Sequence, residues 1–245
     1  MIRNIHSNIR AGFGLILCAG IVHAASAENL AGYQLSYEEQ EPGVDVYATQ
    51  YLVTDRYLRI NNPGDDDGFI LYDDELKTIY SISNSNRSTL VMKLADYKKL
   101  ALDTLVDTQY QALAGAPAIS GMPIYQYRVS AKARVAEVQG AEVCTDIQLA
   151  AGLLPQVTKI LYNYQQVVAS SQVNNLHKMP EEFQTTCVIA DQVYNTGDYY
   201  LKGLPVLEWH TNDRKRALVD YKKIELSAET FVNPEGYREF TLDDR

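Results

Sequence analysis

The chain has 245 residues, of which 46% are hydrophobic, and it carries 31 acidic side chains against 22 basic ones. This hydrophobic content is enough for a globular core and excludes a mainly disordered chain. The formal net charge of −9 excludes a typical nucleic-acid-binding protein, because such binding depends on lysine and arginine to neutralise phosphates.

Residues 1–27 have the pattern of a secretory signal peptide. Arg3 and Arg10 precede a short apolar stretch, and Ala25-Ser26-Ala27 forms a small-x-small cleavage site. The stretch is shorter than the roughly 20 apolar residues of a membrane-spanning helix. A retained N-terminal anchor is the alternative to a cleaved signal peptide. We predict cleavage after Ala27 and a periplasmic domain of residues 28–245, whose net charge is −11 after loss of the two arginines.

From Tyr33 to Lys93, apolar and polar residues alternate in short runs, which is typical of β-strands. In the first run Tyr33, Leu35 and Tyr37 share one face. Gly, Pro, Asn and Asp are concentrated between the runs and indicate turns. We therefore predict an antiparallel meander of six strands. The strand sequences are YQLSYEE, VDVYATQYLV, RYLRI, GFILYD, KTIYSIS and STLVMK.

The run NNPGDDDGF, Asn61 to Phe69, is the most chemically suggestive stretch in the chain. If Gly68 is aligned with the invariant glycine of an EF-hand loop, Pro63 takes the first ligand position and offers no side-chain oxygen. The flanking segments are also predicted strands, whereas an EF-hand needs helices. We predict an exposed hairpin loop at Asp65–Asp67, with weak calcium binding and a catalytic carboxylate pair as the alternatives.

Two segments in the middle of the chain have apolar residues near helical spacing. Residues 95–113 are predicted to be a helix or irregular structure. A strand pair is expected over 124–138, and a long amphipathic helix over 145–172. Pro155 within that helix either kinks it or begins a new one.

The last part of the sequence returns to strand patterns. Strands are predicted for CVIADQVYN, GLPVLEWH and KRALVDYKKIELS, and residues 231–240 are predicted to form an irregular docked tail.

After removal of the signal peptide, Cys144 and Cys187 remain as a pair. In an oxidising compartment such a pair most simply forms a disulfide, which we predict. A zinc site is the alternative, with only His177 and His210 available as histidine ligands, and neither cysteine lies in a C-x-x-C unit.

The order of residues in the first half resembles the periplasmic lipoprotein-carrier (LolA-like) superfamily. The residues that carry the resemblance are Leu58-Arg59, Pro63, Phe69-Ile70, Asp73 and Tyr80, followed near the end by FVNPEGY. The family's glycine and tryptophan near this point are replaced here by YDDELKTIY. The resemblance implies an unclosed half-barrel and a ligand-holding role in the cell envelope more than it implies lipoprotein transport.

We therefore predict an α+β fold, with a curved antiparallel sheet packed against one long helix. The expected function is non-catalytic binding of an apolar group, such as a lipid or a lipoprotein acyl chain, with no cofactor and no metal. A peptide-binding envelope protein and a hydrolase that uses His177 or His210 are the alternatives. Because a one-residue error in register reverses every side chain, the candidate ligand-facing residues are given as alternating sets. These are Tyr57, Leu58, Phe69, Leu71 and Tyr80.

Overall fold

The computed structural model describes residues 29–96, 104–133, 140–194 and 197–242. The predicted signal peptide lies outside these residues. The main element is a twelve-stranded sheet, accompanied by helices α1 (Pro155–Asn175) and α2 (Thr186–Ile189). The strands are β1 (Asn29–Gln40), β2 (Tyr47–Val53), β3 (Tyr57–Asn61), β4 (Gly68–Asp73), β5 (Thr78–Ser83), β6 (Ser88–Lys93), β7 (Thr104–Ala112), β8 (Ile124–Ala133), β9 (Glu142–Ala150), β10 (Leu204–His210), β11 (Lys215–Ser227) and β12 (Arg238–Phe240).

The sheet consists of two meanders joined at the centre. Its strand order is β12-β6-β5-β4-β3-β2-β1-β11-β10-β9-β8-β7. The chain runs outward from β1 to β6, restarts at the opposite edge with β7, and returns to β11, which pairs with β1 along its length. All neighbours are antiparallel except β12 and β6, so the sheet is mixed. Since β12 and β7 do not pair with each other, the sheet is open, and the predicted α+β class with an open sheet is confirmed.

The six strands predicted for the first half are all present, each paired with the next along the chain. Gly68, the first residue of β4, has a packing role. A Cβ atom there would lie 2.2 Å from the carbonyl oxygen of Ile82 on the neighbouring strand, so only glycine allows this close approach. The positive φ in this loop belongs to Gly64, at 85°.

The second half differs from the sequence prediction at two helices. Residues 104–112 form β7, and the preceding residues 97–103 lie outside the described part of the chain. Residues 142–150 form β9, so the prediction of a helix from 145 is wrong over its first ten residues. The helix begins at Pro155. Proline fits this position because backbone N–H groups in the first turn of a helix have no partner within the helix, so the N–H that proline lacks is not missed.

Two further segments depart from the expected pattern. A strand is predicted from the sequence over residues 187–195, but 187–194 belong to α2 and a following π-helical turn, and residue 195 lies outside the described residues. The Thr185 side chain accepts a hydrogen bond from Val188 N and caps α2. The tail predicted to be irregular contains β12, which adds to the sheet beside β6.

The strand pair predicted over 124–138 is described only in part. Strand β8 covers residues 124–133, and residues 134–139 lie outside the described part of the chain.

The disulfide between Cys144 and Cys187 is present, with 5.0 Å between the two Cα atoms. Cys144 lies in β9 and Cys187 in α2. The bond therefore holds α2 and the turn that follows it against the sheet.

Each face of the sheet carries its own hydrophobic cluster. The inner face, which α1 covers, buries Val53 and Leu58, together with Ile160 and Leu161 of the helix. The outer face buries Leu52 and a smaller group that the C-terminal segment covers. The alternation of Leu52 and Val53 between the faces follows from the two-residue period of a strand. Among the described residues, no helix is both long enough and apolar enough to cross a membrane.

Candidate functional site

A cavity of about 530 Å³ lies between the inner face of the sheet and the helical segment that connects β9 to β10. Its sheet side runs across β4, β3, β2, β1, β11 and β10, and its other side is formed by α1, α2 and the turns after α2. This volume falls in the range of about 300–1,000 Å³ that is usual for small-molecule sites. We call it the inner cavity.

One end of the inner cavity is apolar. Ile60 of β3 and Ile70 of β4 are register partners in the sheet and line the cavity side by side. Leu161 of α1 also lines the cavity and is 1% exposed. We call Ile60 and Ile70 the apolar wall.

The middle of the cavity is lined by tyrosine rings. Tyr47 and Tyr51 come from β2, Tyr164 from α1, and Tyr199 and Tyr200 from the 3-10 turn before β10. Burial raises the pKa of Tyr164 to about 12 and raises the pKa values of Tyr199 and Tyr200. These hydroxyls therefore stay protonated and are available as both donors and acceptors.

The other end of the inner cavity is charged. Arg216 of β11 donates to the Glu208 carboxylate on β10, to the Tyr51 hydroxyl at 2.5 Å and to the Tyr200 hydroxyl at 3.3 Å. Burial raises the pKa of Glu208, but the Arg216 guanidinium and His210 lower it by more. The pKa of Glu208 therefore falls to about 2. The pair is therefore fully ionised at neutral pH. We call Glu208, His210 and Arg214 to Arg216 the charged end.

The guanidinium of Arg216 lies over two aromatic rings, 5.0 Å from the ring centre of Tyr37 and 5.5 Å from that of Tyr51. Its Nε atom is buried and has no hydrogen-bond acceptor in the described part of the chain. A buried donor without an acceptor costs about 1–3 kcal/mol, so the other contacts of Arg216 must hold the side chain in this position.

His210 lies between two carboxylates. Its Nδ1 is 3.7 Å from Asp191 and 3.2 Å from the Thr145 hydroxyl, and its Nε2 is 3.8 Å from Glu208. Thr145 in turn donates to Asp191 at 2.5 Å. Burial disfavours the charged imidazole, but Asp191 and Glu208 outweigh it and raise the pKa of His210 above its usual value.

The disulfide contributes to this end of the cavity indirectly. Asp191 follows Cys187 by four residues and belongs to the turn that the Cys144–Cys187 bond holds against β9. Thr145, the partner of Asp191, is next to Cys144 in sequence. The bond therefore fixes the wall of the cavity that faces Glu208 and Arg216.

The five residues proposed from sequence divide between the two faces of the sheet. Leu58 is fully buried in the inner cluster and does not line the inner cavity. Tyr57, Leu71 and Tyr80 line a separate cavity of about 160 Å³ on the outer face, where Phe231 stacks on Tyr57 at 5.3 Å. Of these four candidates, only Tyr57, Leu71 and Tyr80 line a cavity in which a ligand could contact them. Their ligand-facing role stays a prediction.

Phe69, the remaining candidate, packs in the outer cluster. The guanidinium of Arg59 lies 3.7 Å from its ring centre and donates to the carbonyl oxygen of Thr230 at 3.0 Å. Phe69 and Arg59 thus anchor the C-terminal segment to the sheet.

The aspartates of the NNPGDDDGF run are exposed at the hairpin between β3 and β4, as predicted. Asp65 accepts a hydrogen bond from Asp67 N at 2.9 Å, and Asn84 donates to the carbonyl oxygens of Asp66 and Asp67. Within the described ranges, no group of three or more His, Cys, Asp or Glu residues is placed to hold a metal ion.

The sequence prediction did not include Glu208, Arg216 or Asp191 as site residues, and it considered His210 only as a zinc ligand or a hydrolase residue. The sequence did contain a signal for Glu208. In LPVLEWH, alternation places Glu208 on the same side as Val206, which is buried, so an acidic residue occupies the inward face of a strand. Arg216 and Asp191 gave no comparable signal, because both depend on pairings between distant segments.

No protein-family model matches the chain, and no curated protein matches it in sequence. Among solved structures, an uncharacterized conserved protein from Thermus thermophilus aligns with a TM-score of 0.38 and 6% identity, over 86% of this chain and 90% of that one. Two structures of PNGF-II, in space groups C2 and P21, align with TM-scores of 0.42 and 0.41 and identities of 11% and 10%, over 87% and 88% of this chain. This chain spans about a third of the length of PNGF-II, 32% in both cases.

Proposed function

We propose that this chain is an exported, non-catalytic binding protein that holds an amphipathic ligand in the inner cavity. The apolar part of the ligand, such as an acyl chain, packs on Ile60 and Ile70, and its polar group meets the charged end. In this proposal the signal peptide is cleaved after Ala27, and the open sheet is an unclosed half-barrel of the lipoprotein-carrier type.

The observation that carries the proposal is the change in polarity across one continuous cavity. Ile70 on β4 and Arg216 on β11 are four strands apart in the sheet order, which corresponds to about 19 Å at the usual strand spacing. Apolar side chains, then tyrosines, then charged groups follow in that order. A ligand with an apolar chain and a polar head complements such a lining, whereas a purely apolar ligand leaves the charged end unfilled.

The geometry of His210 favours binding over turnover. Both of its ring nitrogens already face protein groups, Nδ1 facing Thr145 and Asp191, and Nε2 facing Glu208 and Arg214. The Thr145 hydroxyl is fully buried and already donates to Asp191. A nucleophile needs access to substrate as well as a neighbouring base. We therefore assign His210 a positioning role for the charged end.

Native mass spectrometry of protein purified from the exported fraction tests the proposal. We expect the mature chain from Glu28, together with a non-covalent species that denaturation releases as an amphipathic small molecule. Ile70→Asn should reduce the amount retained, because it places an amide in the apolar wall.

Val219→Asn is the matched control, since Val219 is 60% exposed and lies outside the cavity lining. It should retain as much ligand as the unaltered protein. Ligand-free protein that also fails to take up any amphiphile on incubation would overturn the proposal.

A peptide partner is the second candidate, and the amide side chains in the same cavity favour it. Gln165 and Gln172 of α1, Gln192 and Asn62 all line the inner cavity and offer donors and acceptors of the kind that pair with peptide backbone. A photo-crosslinking amino acid at position 172 in exported protein separates the two candidates. A protein adduct supports the peptide, and a lipid adduct alone supports the amphiphile.

A further inference from the structure

We propose that the polar group of the ligand is an anion, held by Arg216 at the charged end with Arg214 and Lys215 beside it. This inference rests on the proposed binding function and specifies the ligand class. The class is a single-chain amphiphile whose head is a carboxylate or a phosphate monoester.

The first argument is that two cations of the cavity lining have no salt bridge among the described residues. Glu208 is paired with Arg216, and Asp191 accepts from Thr145 and faces His210. Arg214 and Lys215 line the same end, and neither has a carboxylate within 4 Å among the described residues.

Glu39 is the third acidic residue in the lining, which therefore holds three carboxylates, three Arg or Lys cations and His210. The Nη2 atom of Arg214 lies 3.4 Å from His210 Nε2, which offers no negative charge. An anionic head would give Arg214 and Lys215 the salt-bridge partner that they lack among the described residues.

The second argument is the guanidinium group of Arg216. Three of its contacts, with Glu208, Tyr51 and Tyr200, use the terminal nitrogens and leave the buried Nε–H without an acceptor. Arginine presents its donors in a planar fork that suits the oxygens of carboxylates and phosphates. Because Nε itself is buried, an anionic oxygen in the cavity would interact with the accessible part of the Arg216 side chain, which is 16% exposed and lines the cavity.

The third argument is the position of these residues in the sheet. Arg214 belongs to the β10–β11 turn, and Lys215 and Arg216 begin β11, so three consecutive cationic residues border one end of the cavity. The apolar wall is four strands away. A chain that reaches the apolar wall and a head that reaches the cations define one orientation of the ligand.

Isothermal titration calorimetry with three probes of equal chain length tests the inference. The probes are dodecanoate, dodecyl phosphate and dodecanol. We expect at least one of the two anions to bind about tenfold or more tightly than dodecanol. A hydrogen bond to a charged group contributes enough binding free energy for an affinity difference of about that size. The tighter of the two anions identifies the head group as carboxylate or phosphate.

The variant Arg214→Gln/Lys215→Gln should remove most of this preference and leave dodecanol binding unchanged. Lys222→Gln/Lys223→Gln is the matched control, because these exposed residues of the same strand lie outside the lining and the charge change is equal. It should bind all probes like the unaltered protein.

Arg216→Lys keeps the charge but removes the fork, and it should also weaken binding of the anions. If that variant does not fold, the Arg214/Lys215 variant still decides the question, since both of those side chains are exposed.

Two results would separate the inference from the function on which it rests. Equal binding of dodecanol and both anions, unaffected by the Arg214/Lys215 change, would overturn the anionic head while leaving amphiphile binding intact. No binding of any of the three probes would contradict the proposed function itself, and the inference with it.

Discussion

The apolar wall and the charged end of the inner cavity are both built from adjacent antiparallel strands, yet they bury different chemistry. On β3 and β4 the inward positions hold Ile60 and Ile70. On β10 and β11 they hold Glu208 and Arg216, register neighbours on paired strands. The same backbone geometry thus supports an apolar contact at one end and an ion pair at the other.

This difference indicates where the fold gains stability and where it has been shaped for another purpose. Burying apolar area stabilises a protein by about 25 cal/mol per Å². A buried ion pair is often no more stabilising than apolar residues of the same volume, because both charges lose their hydration. Under the proposed function, the charged end serves to recognise the ligand, a role that a need to hold the sheet together does not supply.

The largest effect is expected from breaking one half of the ion pair. Glu208→Gln should lower the free energy of unfolding by about 3–5 kcal/mol, because it leaves Arg216 as a buried charge without its carboxylate. Chemical denaturation measures this loss. The double variant Glu208→Leu/Arg216→Met should unfold close to the unaltered protein but lose the anion preference. If the double variant is as unstable as the single one, the pair is structural and the contrast between the two ends fails.

The next effect concerns the wall that faces the charged end. Replacing Cys144 and Cys187 with alanine should cost up to about 4 kcal/mol, because the bond closes a loop with a sequence separation of 43 residues. Urea denaturation under non-reducing conditions measures the cost. We expect weaker binding of dodecanoate as well, since Asp191 loses its fixed position. Unchanged stability and binding would show that the α2 turn is held without the disulfide.

The pH dependence of stability should separate the two ends of the cavity. The pKa of Glu208 falls from 4.5 to about 2 on folding, so its contribution, roughly 3 kcal/mol, is present above pH 4.5 and is lost as the pH falls through about 2. The pKa of His210 is raised, so its contribution is present below pH 6.5 and is lost as the pH rises through the folded value.

Urea denaturation from pH 2 to 8 should therefore show a smaller acid loss in Glu208→Leu/Arg216→Met than in the unaltered protein. A variant that changes only the apolar wall, such as Ile60→Ala, should keep the full acid loss. Identical acid profiles for all three proteins would contradict the assignment of the low pKa to this pair.

A smaller effect is expected at the apolar wall. Ile60 is half-buried, so Ile60→Ala should cost about 1 kcal/mol of stability, less than the 2–5 kcal/mol of a fully buried site. Calorimetry should show dodecanol and dodecanoate weakened by the same factor, because both place their chains on this wall. If Ile60→Ala weakens binding of dodecanoate but not of dodecanol, the apolar wall does not hold the alkyl chain independently of the head group, contrary to the proposal.

The smallest effect is expected at the loop that joins the strands of the apolar wall. Asp65 and Asp66 are exposed, so changing both to asparagine should alter the free energy of unfolding by less than about 0.5 kcal/mol. Thermal denaturation with and without calcium provides the measurement. A calcium-dependent rise in Tm that disappears in the variant would reveal a site in this loop.

The first meander could be predicted from sequence because its information is local. Each strand from β1 to β6 pairs with its neighbour in the chain, and turn residues separate them. Alternation within each run also predicts which side chains share a face, as with Tyr33, Leu35 and Tyr37. What alternation leaves open is which face turns inward, and that depends on the position of α1.

The second meander could not be predicted in the same way. Strand β7 is an edge strand whose residues are almost all exposed, so it shows no period of two, and its apolar residues fell by chance near helical spacing. In β9 the alternation is present, with Ile147 and Leu149 buried and Gln148 on the other side, but the helix pattern after Pro155 masked it.

The charged end depends on contacts between segments far apart in the chain. Arg216 meets Tyr51 across 165 residues of sequence, and Thr145 meets Asp191 across 46. No pattern within a single strand encodes such contacts. The disulfide is the exception, because the two cysteines that remain after the predicted signal cleavage have only one intramolecular pairing.

The most direct test of the central claim is the orientation of a bound amphiphile. In NMR experiments with ¹³C-labelled dodecanoate, the terminal methyl group should show NOEs to the methyl groups of Ile60 and Ile70. The carboxylate should shift the guanidinium signals of Arg216. NOEs from the terminal methyl group to residues of the charged end, or a ligand bound only at the outer face beside Tyr57, would contradict the account.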